Sequence, residues 1–186
     1  ATVVSQHQDI VHDPFFRMAT GLVHECLRHA GLESRDLVET LSAVLWAGPP
    51  LPCLGLLALS TVLTRLLEWR GHGRDVSQHC TSSNRAILDA YLEIQRGTMI
   101  AAVVVTIAAN ALEGENGLTA RFQGLRLLSE TGASRPFGSH RDGCAVTEFA
   151  GAVLLGKNGA MPARVNEPLA EVLGGAGGTV RFSGRG

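Results

Sequence analysis

Apolar residues along the chain fall into blocks that alternate between helical and strand-like spacing. Phe15, Met18, Leu22, Val23, Cys26 and Leu27 recur at helical intervals and predict a helix over residues 14–30. Asp13 before Pro14 supplies an N-cap and first-turn pair, and Gly31 is placed to end the helix. Leu41 to Trp46 is a short apolar run closed by Gly48-Pro49-Pro50, the pattern of a buried strand. Leu54 to Trp69 predicts a second helix, ended near Gly71. A short extended stretch with Val76 follows. Ile87, Leu88, Tyr91, Leu92 and Ile94 then predict a helix over Thr81 to Gln95, with Gly97 as its stop. Met99 to Ala109 is nearly all apolar and rich in valine, which suits a strand buried on both faces. Val146 to Leu155 reads similarly, interrupted by Glu148, and Arg164 to Val172 reads as a further strand before a glycine-rich tail. Strands alternating with helices predict a layered α/β architecture, and no internal repeat breaks the series.

Composition narrows the class. The 186 residues make one domain or part of a larger one. A hydrophobic fraction of 45% and a mean hydropathy of +0.15 allow a substantial core and argue against disorder. A formal net charge of −1 gives no polyanion-binding surface, so no nucleic-acid partner is expected. Cys26, Cys53, Cys80 and Cys144 form no C-x-x-C pair and no disulfide framework, which points to a reduced, cytoplasmic setting. The N-terminus lacks the basic flank and apolar core of a signal peptide. Leu51 to Leu63 is too short to span a bilayer and contains Pro52 and Ser60, so no membrane span is expected.

The most informative chemistry lies in Asp75-Val76-Ser77-Gln78-His79-Cys80-Thr81-Ser82-Ser83-Asn84-Arg85. A cysteine at a strand-to-helix turn sits near unpaired backbone N–H groups and the positive end of the helix dipole. That environment favours the nucleophilic thiolate, each unit of pKa depression being worth about 1.4 kcal/mol. The competing expectation is an inert, buried Cys80 acting as a small hydrophobe. Other candidates are weaker. His24 and His29 stand five apart, whereas a zinc helix of the H-E-x-x-H kind needs four, so no metal is expected. His79 adjoins Cys80 but at a strand end should point to the opposite face, which makes it a poor general base. His72 reads as solvated, and Gly114-Glu115-Asn116-Gly117 as a plain turn.

Further along lies Ser134-Arg135-Pro136-Phe137-Gly138-Ser139-His140-Arg141-Asp142-Gly143-Cys144, then Glu148-Phe149-Ala150-Gly151 and an apolar run. With the Val76 to Cys80 turn, this resembles the β-ketoacyl synthase (ketosynthase) family of the thiolase-like superfamily. There a V-S-x-x-C turn precedes S-R-P-[FW]-[DG]-x-x-R-D-G and G-E-G-A-G. Asp13-Pro14-Phe15-Phe16-Arg17 through Ala30-Gly31-Leu32 resembles the family's D-P-x-x-R helix, and Gly117 to Ser129 its segment ending in A-L-S. The likeness runs from about Asp13 to about Gly175. It divides the chain into an incomplete ketosynthase N-terminal-like domain, residues 1–175, and a glycine-rich tail, residues 176–186.

The resemblance implies the first half of a thiolase-like layered fold, with a mixed sheet between helices. It also implies that Met99 to Ala109 is a dimer edge, in a homodimer or a heterodimer with a ketosynthase-like subunit. Cys80 would accept an acyl group from an acyl carrier protein or coenzyme A thioester. Decarboxylative Claisen condensation would follow, in fatty-acid or polyketide synthesis and without a resident cofactor. Arg141 and Asp142 would form a buried pair steadying the loop near the cysteine, and Glu148 would organise the floor of the site. The family's catalytic histidines and lysine belong to its second half, and none of the seven histidines here falls in those motifs. Thr106-Ile107-Ala108-Ala109 replaces the family's V-x-G-G, and Phe149 replaces a glycine of G-E-G-A-G. Two alternatives stand beside the enzyme: a non-condensing, chain-length-factor-like subunit, and an unrelated α/β binding module. Such non-condensing subunits usually lose the cysteine, so Cys80 favours the enzyme.

Overall fold

The computed structural model describes residues 12–38, 42–47, 59–108 and 118–178. Helix α1 (Pro14–His29) begins where the Asp13 carboxylate accepts the N–H groups of Phe15 and Phe16 at 2.9 and 3.0 Å. It buries Phe16, Ala19, Val23 and Leu27, and Gly31 closes it with φ +73°. Met18, on the apolar stripe of the sequence, is exposed. A 3₁₀ turn (Ser34–Leu37) leads to β1 (Ser42–Ala47). Helix α2 (Leu59–Leu66) follows, then β2 (Arg74–Asp75), a 3₁₀ turn (His79–Thr81) and helix α3 (Ser82–Arg96). Gly97 stops α3 in the left-handed conformation, φ +75°, as its position predicts. Strand β3 (Ala101–Ala108), helix α4 (Leu118–Gly124) and strand β4 (Phe149–Gly156) complete the order.

The strands form one sheet in the order β2-β1-β3-β4. Strand β1 runs parallel to β2, Leu45 facing Arg74, and parallel to β3, Ser42 facing Ala101. Parallel neighbours cannot be joined by a hairpin, so helices α2 and α3 carry the chain back along the sheet. The Lys157 N–H donates to the Ile100 carbonyl at 2.8 Å, so the exit of β4 meets the entry of β3. Seven of the eight β3 residues are shielded and only Ala108 is exposed, in keeping with its nearly all-apolar run. Ala102 and Val104 join Leu45, Val76, Met99 and Leu155 in a core against α3.

Three expectations need correction. Of the apolar stripe of α3 Ile94 alone is buried, beside Ala86, Asp89, Ala90 and Glu93, while Ile87, Leu88, Tyr91 and Leu92 are half-buried. Small alanines let the helix axis approach the sheet, and bulkier residues flank the contact. Strand β3 is not an edge: it lies between β1 and β4, and among the described residues the edges are β2 and β4. Residues 164–172 form no strand. Pro168 removes a ladder donor from the middle of that segment. Its backbone turns back instead, the Val165 N–H to the Pro162 carbonyl at 3.0 Å and the Asn166 N–H to Ala30 at 2.9 Å. Calls on residues 48–58 and 109–117 lie outside the described residues.

The chain separates into two compact units, Ala1–Thr106 with Gly151–Gly186, and Ile107–Ala150. In the second, Leu128 and Cys144 form a parallel bridge in which Ser129 donates to the Cys144 carbonyl and Cys144 to that of Leu127, both at 2.9 Å. Gly143 permits it: a Cβ there would lie 2.5 Å from the Ser129 nitrogen.

Two glycines of the first unit have opposite prospects. A Cβ on Gly73 would lie 2.2 Å from the Ser60 carbonyl carbon, whereas one on Gly21, in mid-helix α1, would meet nothing within 4 Å. Gly21→Ala is expected to stabilise the chain by about 0.5–1 kcal/mol through the lower entropy of its unfolded state. Gly73→Ala is expected to lower the melting temperature, because backbone must shift to admit it. Thermal unfolding of the two variants by circular dichroism checks both signs.

Candidate active site

Cys80 stands in the short passage between β2 and α3. Val76 is buried and pins the passage to the core, after which Ser77 and Gln78 are exposed. The Gln78 carbonyl accepts the Thr81 N–H at 3.1 Å and the Thr81 hydroxyl at 2.8 Å. The Ser82 hydroxyl in turn accepts the Gln78 N–H at 2.8 Å. These bonds wind residues 79–81 into a 3₁₀ turn, so the sulfur sits at the mouth of α3 rather than at the end of an extended strand. Thr81 occupies the N-cap position, yet its side chain makes no cap bond to the helix. Cys80 is a free, exposed thiol, not the buried one of the competing expectation. The His79 side chain lies outside the description.

The other described thiols differ. Cys26 is half-buried, and burial pushes its pKa up against a Leu154 backbone bond that lowers it. Cys144 donates to the Leu127 carbonyl at 3.3 Å.

The segment before Cys80 is fastened to both neighbouring helices. Arg74 reaches Glu93 Oε1 at 2.8 Å and Asp89 Oδ2 at 3.6 Å, and Asp89 Oδ1 also takes Arg85 Nε at 2.7 Å. Asp75 Oδ1 accepts the Ser60 N–H of α2 at 3.1 Å. His72, expected to be merely solvated, lies 3.6 Å from Glu93 Oε2 while staying largely exposed. The sequence reading missed this network, although a signal was present. Asp89 and Glu93 stand four apart on the line of Ala86 and Ala90, which places carboxylates on the buried face.

Around His24 and His29, Glu25 is committed to its own helix, bonding Arg28 at 2.6 Å and His29 at 3.0 Å. The Arg28 guanidinium draws its carboxyl down to about 2. No cluster of three His, Cys, Asp or Glu residues suited to a metal occurs among the described residues.

Arg141, Asp142 and Glu148 belong to the second unit. The expected buried Arg141–Asp142 pair does not form: both residues are exposed. Arg141 donates to the Gly138 carbonyl at 3.1 Å. Asp142 instead holds the loop from Ser129 to Arg135. The Ser129 hydroxyl lies 2.8 and 2.9 Å from its two oxygens, the Thr131 hydroxyl 3.3 Å and Arg135 Nη1 3.4 Å. A carboxylate with hydroxyl donors at hand has no need of the adjacent guanidinium, whose reach is taken up by its own turn. Glu148 is exposed and directly precedes β4.

The Ser129 hydroxyl, then the Thr131 donors, holds the Asp142 carboxyl below the usual carboxylate range. A carboxyl depressed on folding adds stability above its unfolded value, about 3.9, and loses it as pH falls through the lower folded value. The Thr131 amide resonance is therefore expected to titrate with a midpoint below that of a free aspartate. Ser129→Ala should move the midpoint up, as an NMR titration would read.

Three comparisons place this geometry. The sequence matches the β-ketoacyl synthase N-terminal domain over residues 56–159. No curated protein sequence matches the chain. Among solved structures it is similar to the oxazolomycin ketosynthase domain OzmH KS7 of Streptomyces albus, with 21% identity and TM-score 0.68 over 83% of this chain and 30% of that one. The ketosynthase from module 6 of the bacillaene synthase of Bacillus subtilis superposes with TM-score 0.68 at 19% identity, over 82% of this chain and 28% of that one. A ketosynthase from module 1 of the Bacillus amyloliquefaciens bacillaene synthase gives TM-score 0.62 at 23% identity, with coverage of 82% and 28%. The chain thus spans under a third of each of these three solved chains. Its mixed sheet between helices is the thiolase-like arrangement of those ketosynthases. The chain belongs to the β-ketoacyl synthase family, whose N-terminal domain it carries.

Proposed function

We propose that this chain supplies the acyl-accepting half of a condensing ketosynthase in polyketide synthesis, with Cys80 as the nucleophile. The observation that carries the reading is the exposed thiol at the 3₁₀ turn opening α3. The Cys80 thiolate attacks the carbonyl carbon of an acyl thioester. The sulfur–carbon bond to the carrier breaks, and the carrier leaves as its thiolate to take up a proton. Backbone N–H groups at the start of a helix are the donors available to the oxyanion formed on the way. A malonyl-type extender then loses carbon dioxide, and the resulting carbanion attacks acyl-Cys80, forming the new carbon–carbon bond and releasing the thiolate.

Polyketide rather than fatty-acid synthesis is favoured because a solved neighbour is a ketosynthase of the bacillaene polyketide synthase. Its donor is accordingly an acyl carrier protein, or acyl-coenzyme A, in a reducing cytoplasm. A non-condensing role is disfavoured by the retention and exposure of Cys80. Support from Arg141 and Asp142 is assigned to the loop they order rather than to the reacting atoms, and Glu148 keeps the expected role of supporting the floor of the site.

Intact-mass analysis after incubation with an acyl thioester is expected to show one acyl adduct on the wild type and none on Cys80→Ala. An adduct that persists in the variant would remove the reading. Self-association is expected as well, through an open sheet edge rather than β3, since Phe137, Leu169 and Leu173 also stand largely free in solvent. Sedimentation equilibrium should show a dimer or larger species, and a monomer throughout the micromolar range would refute it.

A further inference from the structure

Cys80 sits on a three-residue 3₁₀ turn between β2 and α3. We propose that Arg74 is a positioning residue for Cys80: its guanidinium, clamped between Asp89 and Glu93, fixes β2 against α3 and so sets where the thiol stands at the helix mouth.

The residues involved lie on both sides of the cysteine. Arg74 ends its side chain on two carboxylates one helical turn apart, at 2.8 and 3.6 Å. Both acids are only 8% exposed, so neither is satisfied by bulk water. A carboxylate shielded to that degree needs a partner, and the planar fork of arginine can serve two at once, which a lysine ammonium does with less geometric definition. Arg85 shares Asp89 from within α3, at 2.7 Å, and His72 approaches Glu93 at 3.6 Å, yet among the described residues only Arg74 bridges both acids. The two residues flanking Arg74 are fixed to α2. Gly73 packs so closely on the Ser60 backbone that no Cβ fits, and Asp75 takes the Ser60 N–H at 3.1 Å. The strand entering the Cys80 turn is thereby tied to α2 by Gly73 and the Asp75 carboxylate, and to α3 by the Arg74 bridge beside the buried Val76. Bonds from Gln78 to Thr81 and Ser82 give the turn its shape. Loss of the Arg74 bridge frees α3 to shift against β2, and Cys80 moves with the helix it opens.

The proposal rests on Cys80 being the acylated residue, and the test separates the two claims. Arg74→Ala and Arg74→Lys are made in the full chain. Acylation of Cys80 by an acyl thioester is followed alongside hydrogen exchange at the Gln78, Thr81 and Ser82 amides. Arg74→Lys is expected to slow the acylation step by about threefold to tenfold, with KM nearly unchanged, because the group acts through Cys80 and not on the substrate. The turn amides should exchange about tenfold faster while those of α1 stay as in the wild type. Arg74→Ala should do more of both. Should Arg74→Ala fail to fold, the lysine variant decides alone. Unchanged exchange at the turn overturns the proposal whatever the acylation rate, as does faster exchange with undiminished acylation. If the wild type itself takes no acyl group, the nucleophile assignment falls, and exchange alone decides whether Arg74 positions the turn.

Discussion

Two carboxylates facing the interior from helix α3 constrain everything around them. Asp89 and Glu93 sit on the same side as Ala86 and Ala90, where the helix meets the sheet. Apolar residues there would stabilise the contact at least as well, since a buried ion pair rarely outperforms well-packed hydrophobic groups. An unmatched acid in that position would be strongly destabilising, however, so the cations must be present and must come from the right direction. Arg74 meets that demand from β2, which runs beside β1 and parallel to it. The acids thus select one arrangement of strand and helix among several that hydrophobic burial alone would tolerate.

Much of the first unit was legible in the sequence because it rests on local chemistry. Asp13 before Pro14, Gly31 and Gly97 are residues whose side chains, or lack of them, decide helix ends without help from distant contacts. Strand β3 was legible for another reason: a valine-rich run interrupted only by Thr106 suits a doubly covered position. The turn around Cys80 was visible as a turn, though its 3₁₀ form depends on Thr81 choosing the Gln78 carbonyl over the helix it precedes.

What escaped sequence reading depends on partners far apart along the chain. Periodicity places Asp89 and Glu93 on the buried face, but that Arg74 is their shared partner depends on where β2 lands, which periodicity does not disclose. Arg141 and Asp142 looked like a pair because they are neighbours, yet Asp142 is taken by Ser129 and Thr131. The stretch after Arg164 looked like a strand from its flanking apolar residues. Pro168 and the Asn166 side chain, which donates to the His29 carbonyl at 2.8 Å, draw it to the end of α1 instead. Family likeness supplied the fold correctly and misplaced the sheet edge.

The discontinuity of the first unit has a consequence for how the protein is made. Strand β3 ends at Ala108, but its neighbour β4 begins only at Phe149, after the chain has passed through the second unit. During translation β3 therefore leaves the ribosome with one side bare, and its partner follows seconds later at ordinary elongation rates. A valine-rich strand waiting in that state is a template for any extended segment nearby. The intervening residues consequently act as a delay line, and their length sets how long the nascent sheet must be protected from wrong pairing.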